Sequence, residues 1–157
     1  REIDKFLKAF TRKENRKICL IGNVEDDIYN EYKTNKNITF TGKVPYTDVP
    51  AIASKGIYGI NYIPDRYPYY LQTSTKLLEY LALGLKVITT DYKWVNEFEK
   101  ANQCAFYKLD YSNISIDFDQ IDQFNFKSQI KTEDHLWDKV IDRSRIKDKL
   151  LRICERR

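Results

Sequence analysis

The chain has no methionine, one histidine and three cysteines. A translation product starts with methionine, so the sequence reads as a fragment, or as a chain with its ends missing, and a fragment can lack half of an active site. His135, the single histidine, falls outside every motif described below and is expected to be structural or exposed. Cys19, Cys104 and Cys154 are far apart, and no pair has metal-ligand spacing. They read as buried reduced thiols, which fits a cytoplasmic compartment, and no metal site is expected. No run approaches the roughly 18 apolar residues that a membrane span needs. A signal-peptide pattern is also missing, as are internal repeats, low-complexity tracts and flexible linkers.

What is present describes a soluble globular protein. At 157 residues the chain is the size of one domain with a real core. Hydrophobic residues make up 42% and charged residues 32%, which excludes a disordered or fibrous class. The net charge of +4, from 27 basic and 23 acidic residues, is too small and dispersed to argue for nucleic acid. It leaves room for a basic face toward phosphates or anionic lipid.

Short β-rich runs alternate with helical patterns. Glu2 to Phe10 carries Ile3, Phe6, Leu7 and Phe10 at helical spacing. Lys17 to Gly22 is an apolar run closed by glycine and predicts a buried strand. Glu25 to Lys33 predicts a helix, Asn37 to Gly42 a strand, and Thr47 to Ser54 a second amphipathic helix. Tyr58 to Ile63 reads as a strand ended by Pro64. A helix over Thr75 to Leu83 is capped by Gly84, and a strand follows from Lys86 to Thr90. Val95 to Lys100 predicts a short helix and Cys104 to Leu109 a last strand. This alternation implies an α/β fold: a doubly wound parallel sheet, covered on both faces, with its ligand crevice beyond the carboxyl ends of the strands. Those ends are Gly22-Asn23, Gly42-Lys43, Pro64-Asp65 and Thr90-Asp91. Tyr111 to Lys131 gives no clear pattern. Beyond it, Thr132 is a candidate cap for a helix bearing Leu136, Trp137 and Val140, and Ile146, Leu150, Leu151 and Cys154 form a second stripe. The core therefore covers about residues 2–109, with a helical tail over about 132–157.

The stretch Ser74-Thr75-Lys76-Leu77-Leu78-Glu79-Tyr80-Leu81-Ala82-Leu83-Gly84 carries the chemistry. Glu79 stands among leucines that cover most of the helix circumference. An at least partly buried carboxylate needs donors, and ribose hydroxyls are suitable ones. Thr75 lies one turn earlier on the same face, toward the helix N-terminus. Free N–H groups and the helix dipole make that end an anion site, to which Ser74 and Thr75 add hydroxyls and Lys76 a positive charge. The alternative is that Ser74 or Thr75 is only a helix cap and Glu79 pairs with a buried lysine or arginine.

This stretch, with Lys86-Val87-Ile88-Thr89-Thr90-Asp91 after it, resembles the signature of the C-terminal domain of retaining GT-B glycosyltransferases of the group 1 type, which build bacterial capsules, lipopolysaccharide and other surface glycans. Ile18 to Gly22, Asn37 to Val44 and Tyr46 to Ile52 resemble further pieces of that domain in the right order, and Trp137 resembles a tryptophan near its end. The resemblance implies that Glu79 binds the nucleotide ribose and that Ser74, Thr75 and Lys76 lie by the diphosphate. It also implies that Gly42, Lys43 and Val44 flank the base and that Gly22 and Asn23 line the crevice floor. The donor is then a nucleotide-diphosphate sugar, a substrate rather than a cofactor. The acceptor is a glycan or lipid-linked molecule held by an N-terminal domain outside this chain, and peripheral association of the full-length enzyme with the inner face of the membrane is compatible with it. Two departures stand out. Eight positions before Glu79, where the family often has a second glutamate near the donor sugar, this chain has Leu71. The family's opening strand, with its arginine–lysine phosphate loop, has no counterpart, because the chain opens at the helix that follows.

The loop from Pro64 to Thr73 is the remaining candidate region. Asp65, Arg66 and Tyr70 stand beside the expected crevice, where arginine suits phosphate and tyrosine suits a sugar ring; the plainer reading is a surface loop with locally packed aromatics. Two rivals remain. A non-catalytic nucleotide- or partner-binding module draws support from Leu71. A receiver domain needs an acidic pocket at the first strand end, where this chain has Gly22-Asn23.

Overall fold

The computed structural model describes residues 2–12, 16–146, 148 and 151–152. Five parallel strands alternate with helices in the order α1 (Ile3–Phe10), β1 (Ile18–Leu20), α2 (Asp26–Tyr32), β2 (Ile38–Phe40), α3 (Val49–Ala53), β3 (Tyr58–Asn61), α4 (Thr75–Ala82), β4 (Lys86–Thr90), α5 (Lys93–Asn102), β5 (Tyr107–Leu109), α6 (Phe118–Gln123) and α7 (Trp137–Ser144). The expected α/β architecture is therefore present. The sheet comes in two sections, β1-β2 and β3-β4-β5, parallel throughout. Within the described residues, β1, β2, β3 and β5 each keep an edge without a partner strand.

Both sections share one core. Phe6, Leu7 and Phe10 of α1 are almost completely buried against Ile28, Ile38, Tyr62, Ile88 and Leu109. Their spacing puts them on one helical face, and each such burial is worth roughly 1.5–3 kcal/mol. A second cluster, with Leu77, Leu81, Val87, Val95 and Phe98, fixes α4 and α5 onto β4.

α4 has defined ends. Ser74 is its N-cap, its hydroxyl accepting from the Leu77 N–H at 3.3 Å. At the other end Gly84 takes φ 72°, its N–H donates to the Leu81 carbonyl, and the Leu85 N–H donates to the Tyr80 carbonyl. This pair of bonds closes the last turn and requires a left-handed residue, which explains the glycine.

Several expectations are corrected. Cys19 is exposed and Cys104 only half-buried, and both are free thiols. Strand alternation is the reason: Ile18 and Leu20 point to the core, so Cys19 points away, beside the exposed Thr39 on β2. The β1-β2 section is thus covered on one face, whereas β4 is buried on both. The unassigned polar stretch contains α6, capped by the Asp117 carboxylate, and contributes Ile116 and Ile121 to the core. Thr132 opens a short 3-10 turn, and Leu136 is the N-cap of α7. Leu136, Ile146 and Leu151 are exposed. Leu150, Cys154 and the Trp137 side chain lie outside the described residues. No described helix is long and apolar enough to cross a membrane.

Candidate functional site

Two glycines bring the first expected pieces together. Gly22 and Gly42, just beyond β1 and β2, form an isolated bridge, and the Thr41 hydroxyl accepts from the Gly22 N–H at 3.1 Å. Both glycines have positive φ, 105° and 63°, and a Cβ at either would meet nothing within 4 Å. They are required by backbone conformation and leave open space above the turn. Asn23 and Lys43 are exposed and Val44 half-buried around it.

A buried polar network sets the start of α4. Asn61, fully buried at the end of β3, accepts the Ser74 hydroxyl at 2.6 Å. Its amide donates to the Thr89 hydroxyl at 3.0 Å and to the Tyr92 oxygen at 3.2 Å. Thr90 extends the junction, accepting from the Ile63 N–H and donating to the Ile63 carbonyl. The Ser74 hydroxyl is therefore bonded inside the protein on both sides and is not a free donor toward a ligand. It fixes the helix start, while Thr75 and Lys76 stand exposed there.

Glu79 sits one turn further along α4 and is half-buried, with Leu77 and Leu81 buried beside it. Its Oε1 accepts a hydrogen bond from the Tyr46 hydroxyl at 2.9 Å, and the carboxylate beside that phenol raises the phenol's pKa. The Tyr46 hydroxyl, rather than a buried lysine or arginine, is thus the bonded group seen on this carboxylate. Tyr46 opens the short turn Tyr46–Asp48 that follows Pro45, so this bond joins the Gly42–Val44 turn to α4. The sequence carries no signal for this pairing, because the two residues are 33 positions apart.

The Pro64–Thr73 loop is tied elsewhere. Arg66 pairs with Glu2 at 2.9 Å and lies over the Tyr69 ring, Tyr70 packs edge-on to Tyr67, and Leu71 is 48% exposed. Asp65 reaches a separate feature, an open pocket of about 650 Å³ at the carboxyl ends of β3, β4 and β5, with Asp91, Asn96, Lys108 and Asp110 on its walls. Ser112 donates to Asp110 from its N–H and its hydroxyl, which lowers the Asp110 pKa. The strand-end rule that singled out Asp91 also applies to Leu109-Asp110, an end the sequence reading passed over. Glu79 does not line this pocket, so the pocket and the carboxylate motif mark different places. The helix-start chemistry around Glu79 is the more specific of the two. His135 packs against Phe98, with ring centroids 5.4 Å apart, and belongs to neither.

No curated protein and no solved structure matches the chain. The family model described as "Glycosyl transferases group 1" matches residues 1–116, which covers the glycine turn, α4 and the strand-end pocket, and the chain belongs to that family.

Proposed function

We propose that this chain is the donor-binding half of a GT-B glycosyltransferase, holding the nucleoside diphosphate of an activated sugar. Glu79 accepts the ribose hydroxyls. The N–H groups at the start of α4, with Thr75 and Lys76, face the diphosphate, and the Gly42–Val44 turn flanks the base. The observation that carries this reading is the half-buried Glu79 carboxylate, one turn inside α4 and linked through Tyr46 to the glycine turn. A hydroxyl donor already bonds this carboxylate, which is the chemistry a ribose would bring.

In transfer to a glycan or lipid-linked acceptor, negative charge develops on the departing diphosphate. Helix N–H groups and Lys76 would stabilise it electrostatically. Any general base would come from an acceptor-side domain, and the isolated chain is expected to show no turnover. Surface-polysaccharide synthesis at the cytoplasmic face of a membrane is the setting this reading implies.

Calorimetric titration of UDP, GDP and ADP into the chain, with Glu79→Ala as control, tests the proposal. Binding of one nucleotide, lost in the variant, is expected. The exposed Leu71, where a sugar-binding glutamate is common, favours a second reading as a non-catalytic partner-binding module, and absence of binding to all three nucleotides would select it.

A further inference from the structure

We propose that the Tyr46 phenol and a nucleoside are mutually exclusive partners of the Glu79 carboxylate, so that Tyr46 acts as an internal competitor that sets the affinity of the site. The inference rests on reading Glu79 as the ribose acceptor.

Three observations carry it. Tyr46 follows the Gly42–Val44 turn by two residues, and its hydroxyl ends on Glu79 Oε1 at 2.9 Å. A nucleoside with its base at that turn and its ribose at Glu79 crosses the same interval, from the same starting point to the same acceptor. The phenol and a ribose hydroxyl therefore compete for the same carboxylate oxygen. Second, the Tyr46 side chain is 75% exposed, and among the described residues Glu79 is the side chain that bonds it. The phenol is thus free to swing away once that bond breaks, without disturbing the core. Third, Tyr46 opens a three-residue 3-10 turn, and its ring belongs to neither hydrophobic cluster. The carboxylate also raises the phenol's pKa, which keeps the hydroxyl a donor across the neutral range.

The exchange is one hydrogen bond for another. A ribose hydroxyl replaces the phenol on the carboxylate, and the phenol goes to water. Removing the phenolic hydroxyl therefore removes a competitor, and the ligand keeps its own bond in full.

The test compares the parent chain, Tyr46→Phe and Glu79→Gln by calorimetry with UDP, GDP and ADP, then repeats the responsive nucleotide as its 2′,3′-dideoxy analogue. Tyr46→Phe is expected to bind the ribonucleotide about fivefold tighter, which is about 1 kcal/mol at 1.4 kcal/mol per tenfold. The gain should vanish with the dideoxy analogue, which offers Glu79 no hydroxyl. Unchanged or weaker binding by Tyr46→Phe, with Glu79→Gln impaired, overturns the competitor and leaves the ribose reading standing. The same gain with the dideoxy analogue also overturns it, because the ring would then act sterically. Full binding by Glu79→Gln, or no binding by the parent, overturns the ribose reading and this inference with it.

Discussion

Asn61 and Ser74 are joined by a 2.6 Å hydrogen bond in which the serine hydroxyl donates to the carboxamide oxygen. The bond ties the carboxyl end of β3 to the first turn of α4, and so ties the sheet to the helix that carries Glu79. Asn61→Leu keeps the volume close but leaves three buried partners, on Ser74, Thr89 and Tyr92, short of a bond. Each uncompensated polar group costs roughly 1–3 kcal/mol. The variant should lose about 2–4 kcal/mol in urea unfolding. If the helix start is the anion site, nucleotide affinity should fall with it; an unchanged unfolding midpoint would show that the network contributes nothing net.

Close approach of β3 and α4 gives a second prediction. A Cβ at Gly59 would lie 2.3 Å from the Tyr80 Cγ and 2.9 Å from its Cβ, in a strand position that is fully enclosed. The Tyr80 Cβ cannot rotate out of the way, so Gly59→Ala must push α4 off the sheet. Overpacking of this kind costs roughly 1–3 kcal/mol. A lower thermal midpoint is expected, together with weaker nucleotide binding, since Glu79 immediately precedes Tyr80 in the helix. The same change at Gly56, whose nearest atom is the Ala53 carbonyl oxygen at 3.2 Å, should be milder.

How far the sequence reached follows from the range of each signal. β4 was predicted at Lys86–Thr90 and lies there, because a fully buried strand is a continuous apolar run with hard stops. α4 was legible from its serine cap, its leucines and its closing glycine, all local features. α6 was not: it is only six residues long, and Phe118 and Ile121, three positions apart on the core side, are too few apolar residues in a polar stretch to mark a period. Cys19 was misjudged because a short apolar run does not say which strand face is covered. The Tyr46–Glu79 pair depends on how two distant turns meet, which no local pattern encodes.

Charge at the start of the chain predicts a pH effect. The Glu2 carboxylate accepts from Lys5 at 2.7 Å and from the Tyr111 hydroxyl, and it pairs with Arg66 at 2.9 Å. Lys5 first, then Tyr111, hold its pKa down to about 2 from an ordinary 4.5. A carboxyl depressed in the folded chain favours folding fully above pH 4.5, and that contribution is lost as pH falls through about 2. The Glu2 carboxyl carbon, followed by NMR, should titrate near 2 in the parent and closer to 4.5 in Lys5→Met. Tyr111→Phe should move it less. A midpoint near 4.5 in the parent would mean that the cluster does not hold, and that Arg66 is available to a ligand.

Tyr62 supplies the sharpest stability test. Its ring belongs to the core, 5% exposed, between Phe6 at 6.0 Å and Tyr111 at 5.5 Å between centroids. Its hydroxyl is buried without a hydrogen-bond partner among the described residues. Burial raises its pKa, so the group stays a neutral phenol at any ordinary pH. A neutral hydroxyl removed from water without a partner is a net cost of roughly 1–3 kcal/mol on protein scales. Tyr62→Phe deletes that cost and keeps the ring contacts, so it should raise stability by about 1 kcal/mol in urea unfolding. Loss of stability instead would mean that the hydroxyl has a partner in solution.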